Sequence, residues 1–477
     1  MKIPDNVLTI AKTLNNAGFD AYVVGGAVRD MVLDKEPHDY DIATNARPEQ
    51  VKALFKRTVD TGIAPGTVTA MFGKEGYEIT TYRCDGKYSD GRHPDEVVFM
   101  DRIEDDLGRR DFTFNAMAYD PIKKKLVDPY NGEADLKTGI IRTVGDPKSR
   151  FKEDALRMMR AARFHAKFGF PIEDNTYNAM CELHEDIRNL SVERIRSEID
   201  KILEAKYSDK GIEDLKNTGM LKLISVDIDE MFSCEQNNPW HFEDVGHHSL
   251  RVLMSAKEDG VTNKAVLWAA LLHDVGKPLA KKTGLDGTNH FPDHSIISSV
   301  LTNRLLQELK FSNEERVLIT ALVRHHDTCF TDIVKVRKFV SEYTENFLTC
   351  LYSLQTADAK SHAKDYAQTA IRQKDDFRGL VLQVLKDHSA VKISDLKVNG
   401  NDLVEMGFEG TEIGRELKKL QEICFKNPEL NRHDELLGLA SKHLDEWKKT
   451  QDIYFGKFGS SEKDAMQSDP EEEKDEI

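Results

Sequence analysis

The sequence predicts an α/β head followed by an all-helical remainder, and three observations point there. Strand-like apolar runs alternate with helical patterns only up to about residue 145. A two-glycine turn, Gly25-Gly26, joins one such run to a short helix. From Asp146 onward apolar residues recur at helical spacing almost to the end.

Pro4 to Ala17 is amphipathic, with Val7, Leu8, Ile10, Ala11 and Leu14 on one helical face. Ala21-Tyr22-Val23-Val24 reads as a buried strand, and Val28, Met31, Val32 and Leu33 give the helix after the glycines its apolar side. A turn marked by Pro37 leads into His38-Asp39-Tyr40-Asp41-Ile42, read as a strand. Val68 to Phe72 and Tyr77 to Tyr82 flank Gly73-Lys74-Glu75-Gly76 as a hairpin, and Ile140 and Ile141 close the strand-bearing part. Phe151 to Phe168 is expected as one helix stopped at Gly169, with Pro171 beyond it. A further helix covers Val192 to Ala205, Gln236 to Trp240 marks a boundary, and His241 to about Ala363 is rich in histidine. Asn399-Gly400 and Gly407 to Gly410 are turn signals ahead of a helix from Glu412 to Cys424. The expected divisions are 1–145, 146–235, 236–365, 366–450 and 451–477.

At 477 residues the chain exceeds a single core, and roughly three or four domains are expected. Its 39% hydrophobic and 31% charged residues are those of a soluble globular protein. No apolar run approaches the ~20 residues that span a bilayer, so no membrane partner is expected. The Met-Lys-Ile-Pro-Asp-Asn start lacks a hydrophobic signal core, which predicts a cytoplasmic protein. The six cysteines show no Cys-x-x-Cys pairing and read as reduced thiols. A net charge of −16 argues against a nucleic acid held by the global field. Part of that charge is local, because residues 457–477 hold eight acids and three lysines in a stretch with the composition of a disordered tail. Any polynucleotide must therefore meet a local basic surface.

Glycines at 25 and 26 permit tight turning and close approach of a ligand, and the helix start beyond them offers N–H groups to an anion. In a strand, Asp39 and Asp41 project from one face. Neighbouring carboxylates repel unless a divalent cation lies between them, and their hard oxygens suit Mg²⁺. A phosphate cradle followed by such a clamp is what nucleotidyl transfer requires. Glu78, on the second hairpin strand, is either a third carboxylate of this group or an ordinary surface glutamate. Glu104 to Thr113 mixes acids with Arg109 and Arg110, whose planar forks either bind triphosphate oxygens or salt-bridge the loop.

Asp154, Arg157, Arg160 and Arg163 recur every third residue and form a shallow spiral stripe. Ion pairing along the helix is one reading of it. The sharper reading is chemical: a carboxylate accepts from the exocyclic amino group of cytosine or adenine, and a guanidinium donates to a ring nitrogen. Uracil and guanine present the wrong polarity there. Asp154 and Arg157 are thus candidate base selectors, with Arg160 and Arg163 further along toward phosphate.

A second constellation comprises His248, His273-Asp274 and Asp358, with His294, His325 and His326 near them in sequence. The pair His273-Asp274 ends an apolar helical run at Gly276-Lys277-Pro278, and a buried His-Asp pair needs partners or a cation. Histidines and aspartates spread over several helices fit a divalent transition-metal site with an open position for water.

Nearly the whole chain, to about residue 445, resembles the class II bacterial tRNA nucleotidyltransferases that add CCA to tRNA 3′ ends, within the DNA polymerase β-like superfamily. The strings that carry the resemblance are Gly25-Gly26-Ala27-Val28-Arg29-Asp30, Asp39-Tyr40-Asp41, Arg109 to Ala118, Asp128 to Gly132 and Arg150 to Arg157. The resemblance implies a nucleotidyltransferase head with a small polymerase β-like sheet, followed by an all-α neck, HD body and tail. It implies that Asp39 and Asp41 hold Mg²⁺, that Gly26, Arg29 and Arg110 contact the triphosphate, and that Asp154 and Arg157 are the template for CTP and then ATP. Glu78 matches the family's additional acidic strand position. A tRNA acceptor arm and elbow are expected along neck, body and tail.

Residues from about Trp240 to His362 resemble the HD superfamily of metal-dependent phosphohydrolases. By that resemblance His248, His273, Asp274 and Asp358 are the minimal ligand set, His294 and His326 match the extra positions of dinuclear members, and His247 is an alternative to His248. An accessory phosphohydrolase activity follows as an expectation. The rival expectations are a bacterial poly(A) polymerase, an enzyme that adds only A, and an HD phosphohydrolase whose head merely docks RNA. The loop that separates A-only from full CCA addition is expected around residues 83 to 100. Oligomeric state is not legible in the sequence.

Overall fold

The computed structural model describes residues 3–62, 66–85, 97–389 and 392–457. The chain divides into two units, Met1–Asp327 with Ser353–Ala367, and Thr328–Tyr352 with Gln368–Ile477. Residues 328–352, from the segment expected at 236–365, therefore belong to the second unit.

The first unit opens on the helix Asp5–Asn16, which buries Val7, Ile10, Ala11 and Leu14. The strands that follow are β1 (Tyr22–Val24), β2 (Asp41–Thr44), β3 (Thr58–Gly62), β4 (Thr67–Phe72), β5 (Glu75–Thr81), β6 (Arg83–Asp85), β7 (Val97–Phe99), β8 (Ala118–Asp120) and β9 (Lys125–Val127). Seven of them form one mixed sheet in the order β3-β4-β5-β2-β1-β8-β9, and β6 pairs β7 separately. The expected hairpin is β4–β5, with Phe72 opposite Glu75. β2 and β5 are parallel neighbours. Val24, Ala43, Tyr82, Ile103, Leu107, Ala116, Ala118 and Val144 pack as a core beneath the sheet. Of the loop expected around 83 to 100, residues 86–96 lie outside the described residues.

Two expectations are corrected here. β2 begins at Asp41, so Asp39 precedes the strand rather than sharing its face. The reason lies in β1, which is only three residues long: its pairing ends at Val24 opposite Asp41, and the next residue, Gly25, turns away at φ +67°. The helix expected over Phe151 to Phe168 is two helices, Pro147–Glu153 and Leu156–Phe168. Asp154 breaks them with extended backbone (φ −147°, ψ 105°), and its Oδ1 accepts from the N–H of Leu156 at 3.0 Å. A short acidic side chain competes with the helix for local N–H groups and so serves better as a cap than as an interior residue. Asp154 thus sits at the head of the arginine stripe, not within its helix.

The neck continues through Asp174–Leu183 and Val192–Glu204. In the histidine-rich part, Val245–Glu258, Lys264–Leu272, His294–Glu308 and Asn313–His325 surround a core that includes every residue of Lys264–Leu272 except the first. That apolar helix stops at Leu272, leaving His273-Asp274 in the turn beyond it. A two-residue ladder, Lys282–Thr283 with Asn289–His290, interrupts the otherwise all-helical remainder.

In the second unit Val398, Leu403, Phe408, Leu420, Cys424, Leu436 and Ala440 form the core. Asn399 caps the helix Gly400–Glu405, so the Asn-Gly signal marks a helix start. The last helix, His433–Lys457, runs past the expected limit of 450, through residues such as Lys448, Lys449 and Gln451 that favour helix. Residues 458–477, most of the acidic tail, lie outside the described residues.

Candidate active site and metal centre

A cleft of about 860 Å³ in the first unit brings the head and neck signals together. Gly25, Gly26, Asp41 and Arg110 line it from the head, Asp154 and Arg157 from the helix junction, and Arg29, Arg160, Arg163 and Lys167 between them. A Cβ on Gly25 would lie 3.0 Å from Arg110 Nη1 and 3.9 Å from Asp41 Oδ2, so glycine is what lets these charged groups close on the turn.

The parallel register pairs Ile42 with Ile79, which sets Asp41 beside Glu78. The Asp41 carboxyl is raised above its usual range, first by loss of water around it and next by the charge of Glu78; Asp39 adds to the rise and Arg110 opposes it. Glu78 therefore bears on Asp41 more strongly than Asp39 does. Two carboxylates bearing on Asp41 with Arg110 in opposition leave excess negative charge around it, and carboxylate oxygens fit a hard divalent cation.

The arginines are positioned by acids and carbonyls. Asp106, almost fully buried, pairs with Arg109 at 2.8 Å and Arg110 at 3.2 Å. Burial opposes its charge, yet the two guanidinium groups hold its carboxyl below the usual range. Arg29 donates from Nη1 to Asn115 Oδ1 at 2.8 Å, and its guanidinium lies over the rings of Phe164 and Phe168, which ties the head helix to the neck. Arg160 donates from Nε to Asp111 Oδ2 at 2.7 Å, and Arg163 pairs with Glu198 at 3.0 Å. Burial opposes the Asp111 charge, but Arg160 and Asn115 outweigh it and hold the carboxyl down at about 2. Both stripe arginines that the sequence directs toward phosphate thus carry acidic partners while lining the cleft.

Arg157 is buried and held in three directions: Nη1 donates to Glu153 Oε2 at 2.6 Å and to the Arg150 carbonyl at 3.0 Å, and Nη2 donates to the Arg109 carbonyl at 2.8 Å. The second oxygen of Asp154 pairs with Arg194 at 2.9 Å. Arg194 also lines the cleft.

In the histidine-rich part, two groups of potential ligands meet at Asp274: His248, His273 and Asp358 on one side, and Asp274, His294 and His326 on the other. Asp274 Oδ2 lies 3.2 Å from His273 Nε2, and Oδ1 lies 3.2 Å from His294 Nε2 and 3.6 Å from His326 Nε2. His273, His294 and His326 each place Nδ1 within 2.9 Å of a carbonyl three residues back, which turns Nε2 toward the centre as an acceptor. His273 Nε2 and Asp274 Oδ1 are buried without a hydrogen-bond partner. Burial opposes a charge on His294, yet Asp274 and Asp327 raise its pKa to about 10, whereas burial lowers those of His248 and His326. Two orphaned ligand atoms among clustered imidazoles and carboxylates fit divalent cations on either side of Asp274. Lys277 also donates to Asp274 Oδ2, at 2.7 Å. His247 turns outward to Asp244, whereas His248 belongs to the buried cluster, and His325 joins neither group.

Residues 21–142 match the family model described as the poly A polymerase head domain, 169–231 that of the probable RNA and SrmB-binding site of polymerase A, and 245–363 that of the HD domain. The CCA-adding enzyme of Lactobacillus helveticus (strain DPC 4571) is 52% identical over 204 residues, covering 42% of this chain and 51% of that relative. The CCA-adding enzyme of Ligilactobacillus salivarius (strain UCC118) is 34% identical over 450 residues, covering 93% of this chain and 98% of that relative. The chain belongs to the CCA-adding enzyme family. The crystal structure of the Bacillus stearothermophilus CCA-adding enzyme in complex with CTP is similar with a TM-score of 0.70 and 26% identity, covering 94% of this chain and 100% of that one.

Within this CCA-adding enzyme fold, sequence reasoning missed the residues that hold Asp154 and Arg160 in place. Arg194 lies 40 positions from Asp154 and Asp111 lies 49 from Arg160, and no local period links such pairs. His362 was within reach, because it stands one helical turn after Asp358, a spacing that puts both on one face.

Proposed function

We infer that this chain completes the CCA end of tRNA, adding nucleotides from CTP and ATP without a nucleic-acid template, and that Asp154 and Arg157 read the incoming base. The observation that carries the reading is the single cleft in which Asp41 and the glycine turn face Asp154 and Arg157. Relatives matched over nearly their whole length are CCA-adding enzymes, which favours this over poly(A) synthesis, A-only addition or an RNA-docking head.

With Arg194 and the Leu156 N–H each taking one Asp154 oxygen, the remaining lone pairs accept the amino group of cytosine or adenine. Arg157, fixed through Glu153 and two carbonyls, offers its further N–H groups to a ring nitrogen. Reversing both polarities, as uracil or guanine does, costs about 1–3 kcal/mol per mismatched contact. Arg110, Arg29 and Lys167 balance the triphosphate charge, with Gly25 and Gly26 giving it backbone access. Asp39 and Asp41, with Glu78 beside them, would hold Mg²⁺, which would supply acidification of the tRNA 3′-hydroxyl and charge to offset the phosphates.

Lys338, Lys392 and Lys418, with Glu342 and Glu422 among them, line a depression of about 560 Å³ in the second unit, and these lysines are candidates for contact with the phosphates of the tRNA arm and elbow. Around Asp274, with His248, His273, Asp358, His294 and His326, a pair of divalent transition metals would serve an accessory phosphohydrolase. The setting for both reactions is the cytoplasm. No helix of the described residues is long and apolar enough to cross a membrane.

The test is nucleotide incorporation on tRNAs truncated before the first, second or last nucleotide of CCA. CTP alone should add the two cytidines and stop, and ATP should then add one adenosine. Incorporation confined to the last position would point instead to A-only addition, and a long A run to poly(A) synthesis.

A further inference from the structure

Neither the triphosphate site nor the base reading uses the side chain of Arg150. It lies on the helix Pro147–Glu153 and is not among the residues that line the cleft. Its guanidinium divides between two partners: Nη1 donates to the Gly108 carbonyl at 3.0 Å, and Nη2 pairs with Glu153 Oε1 at 2.5 Å. The other Glu153 oxygen accepts from Arg157 Nη1 at 2.6 Å, and Arg157 Nη2 donates to the Arg109 carbonyl at 2.8 Å. These contacts close a ring, from Gly108 through Arg150, Glu153 and Arg157 to Arg109, which follows Gly108 in the chain.

The ring has a physical reason on each side. Gly108 ends the helix Ile103–Gly108 and Arg109 is its C-cap. The last carbonyls of a helix have no partner within it, and here two guanidinium groups from the neck cap them. The same backbone continues into Arg110, which Asp106 holds and which lines the cleft. Glu153 is the movable member, being half-buried on a flexible stem. With Arg157 as its sole partner it would turn as Arg157 turns. Arg150 takes its other oxygen and is itself tied to Gly108, so Glu153 becomes a fixed post. Arg157 uses Nη1 on Glu153 and on the Arg150 carbonyl, which decides the N–H groups left for the base.

We propose that Arg150 is a positioning residue for base choice: by holding Glu153 against the Gly108 carbonyl, it fixes the guanidinium of Arg157 in line with the incoming base. Cytosine accepts at its ring nitrogen where uracil presents an N–H, so the preference depends on how firmly that guanidinium is aimed. A planar fork spans a carbonyl and a carboxylate at once, whereas an ammonium is a point charge on a flexible stem and serves one of them well. Replacing the Arg150 side chain leaves its carbonyl, and with it both carbonyl contacts of Arg157, in place. The change therefore falls on the ring alone. The proposal rests on the reading of Arg157 as a base selector.

The test is single-nucleotide incorporation onto a CCA-lacking tRNA by the full chain, with kcat/KM measured for CTP and for UTP and folding checked by thermal melting. The ratio of the two constants is the readout, because a general loss of stability lowers both and leaves their ratio unchanged. Arg150→Ala is expected to narrow the CTP preference about fivefold, as coupling between neighbouring contacts implies. Arg150→Lys should narrow it less and Arg157→Ala more. The double variant Arg150→Ala/Glu153→Gln should be no less selective than Glu153→Gln alone; losses that multiply would show that Arg150 does not act through Glu153 and overturn the proposal. A narrowed ratio in Arg157→Ala with a wild-type ratio in Arg150→Ala overturns the positioning role and leaves the base selector standing. Wild-type ratios in both remove Arg157 as selector and the proposal with it. Narrowing in Arg150→Ala but not in Arg157→Ala also overturns it, since the route runs through Arg157. Should Arg150→Ala fail to fold, Arg150→Lys decides, and a wild-type ratio there refutes the proposal.

Discussion

Asp41 and Asp154 are both carboxylates in one cleft, and their neighbours give them opposite work. Glu78 and Asp39 bear on Asp41 with Arg110 in opposition, which suits its carboxylate to a cation. Asp154 is neutralised by Arg194 and pinned by a backbone N–H, so it presents a fixed pattern of acceptors. Asp41→Ala is expected to lower incorporation of CTP and ATP by about 10³-fold or more, with tRNA affinity within about twofold, measured by primer extension and filter binding. Arg194→Ala should lower kcat/KM for both nucleotides about tenfold, as loss of one charge-assisted bond implies, and raise uridine misincorporation. Arg194→Lys should restore part of that; an unchanged nucleotide preference in the alanine variant would remove Arg194 from the positioning role. The Asp111 carboxyl has its own consequence for stability. Its folded value, about 2, is below the roughly 3.9 of an unfolded aspartate, so it stabilises the fold above pH 4 and loses that contribution as pH falls toward 2. Asp111→Asn should lower stability by about 2 kcal/mol in urea unfolding at pH 6 and bring acid unfolding to higher pH, whereas an equal cost at every pH would point to packing alone.

Elements explain what the sequence disclosed and what it hid. The strand–glycine–helix unit and the β4–β5 hairpin are local, and their periods of two and 3.6 are visible in a short window. The break at Asp154 was hidden because the three-residue repeat of Asp154, Arg157, Arg160 and Arg163 reads as one helix, while a capping bond depends on which backbone N–H the carboxylate chooses. The end of β2 at Asp41 was hidden because strand length is set by its partner, and the partner is cut short by Gly25. Of the histidine centre, the candidate ligands on each chain segment were read from residue type, but their grouping on either side of Asp274 needed the helices in place. Gly25→Ala tests the turn directly. At φ +67°, with Arg110 Nη1 3.0 Å from the new Cβ, it should cost about 1–2 kcal/mol of stability in urea unfolding and displace Arg110 from the cleft. Stability and incorporation both equal to wild type would show that the turn tolerates a side chain.

At the scale of the molecule, a chain of net charge −16 gathers arginines in one cleft of its first unit and pairs many of them with acids. Binding of tRNA should therefore weaken steeply with salt despite the acidic composition, with a log–log slope set by the few lysines and arginines that touch phosphate. The head cleft and the histidine centre share no residue, so their chemistries are separable. His273→Ala should lose cations from the histidine centre while CTP incorporation stays within about twofold of wild type; a collapse of incorporation would couple the two sites. The central claim is that protein side chains choose the base, and single-nucleotide incorporation onto a CCA-lacking tRNA by wild type and Asp154→Ala, with CTP and UTP compared, tests it most directly. The account predicts that wild type prefers CTP and that the variant narrows the preference by about 10–100-fold. A variant as selective as wild type would contradict it.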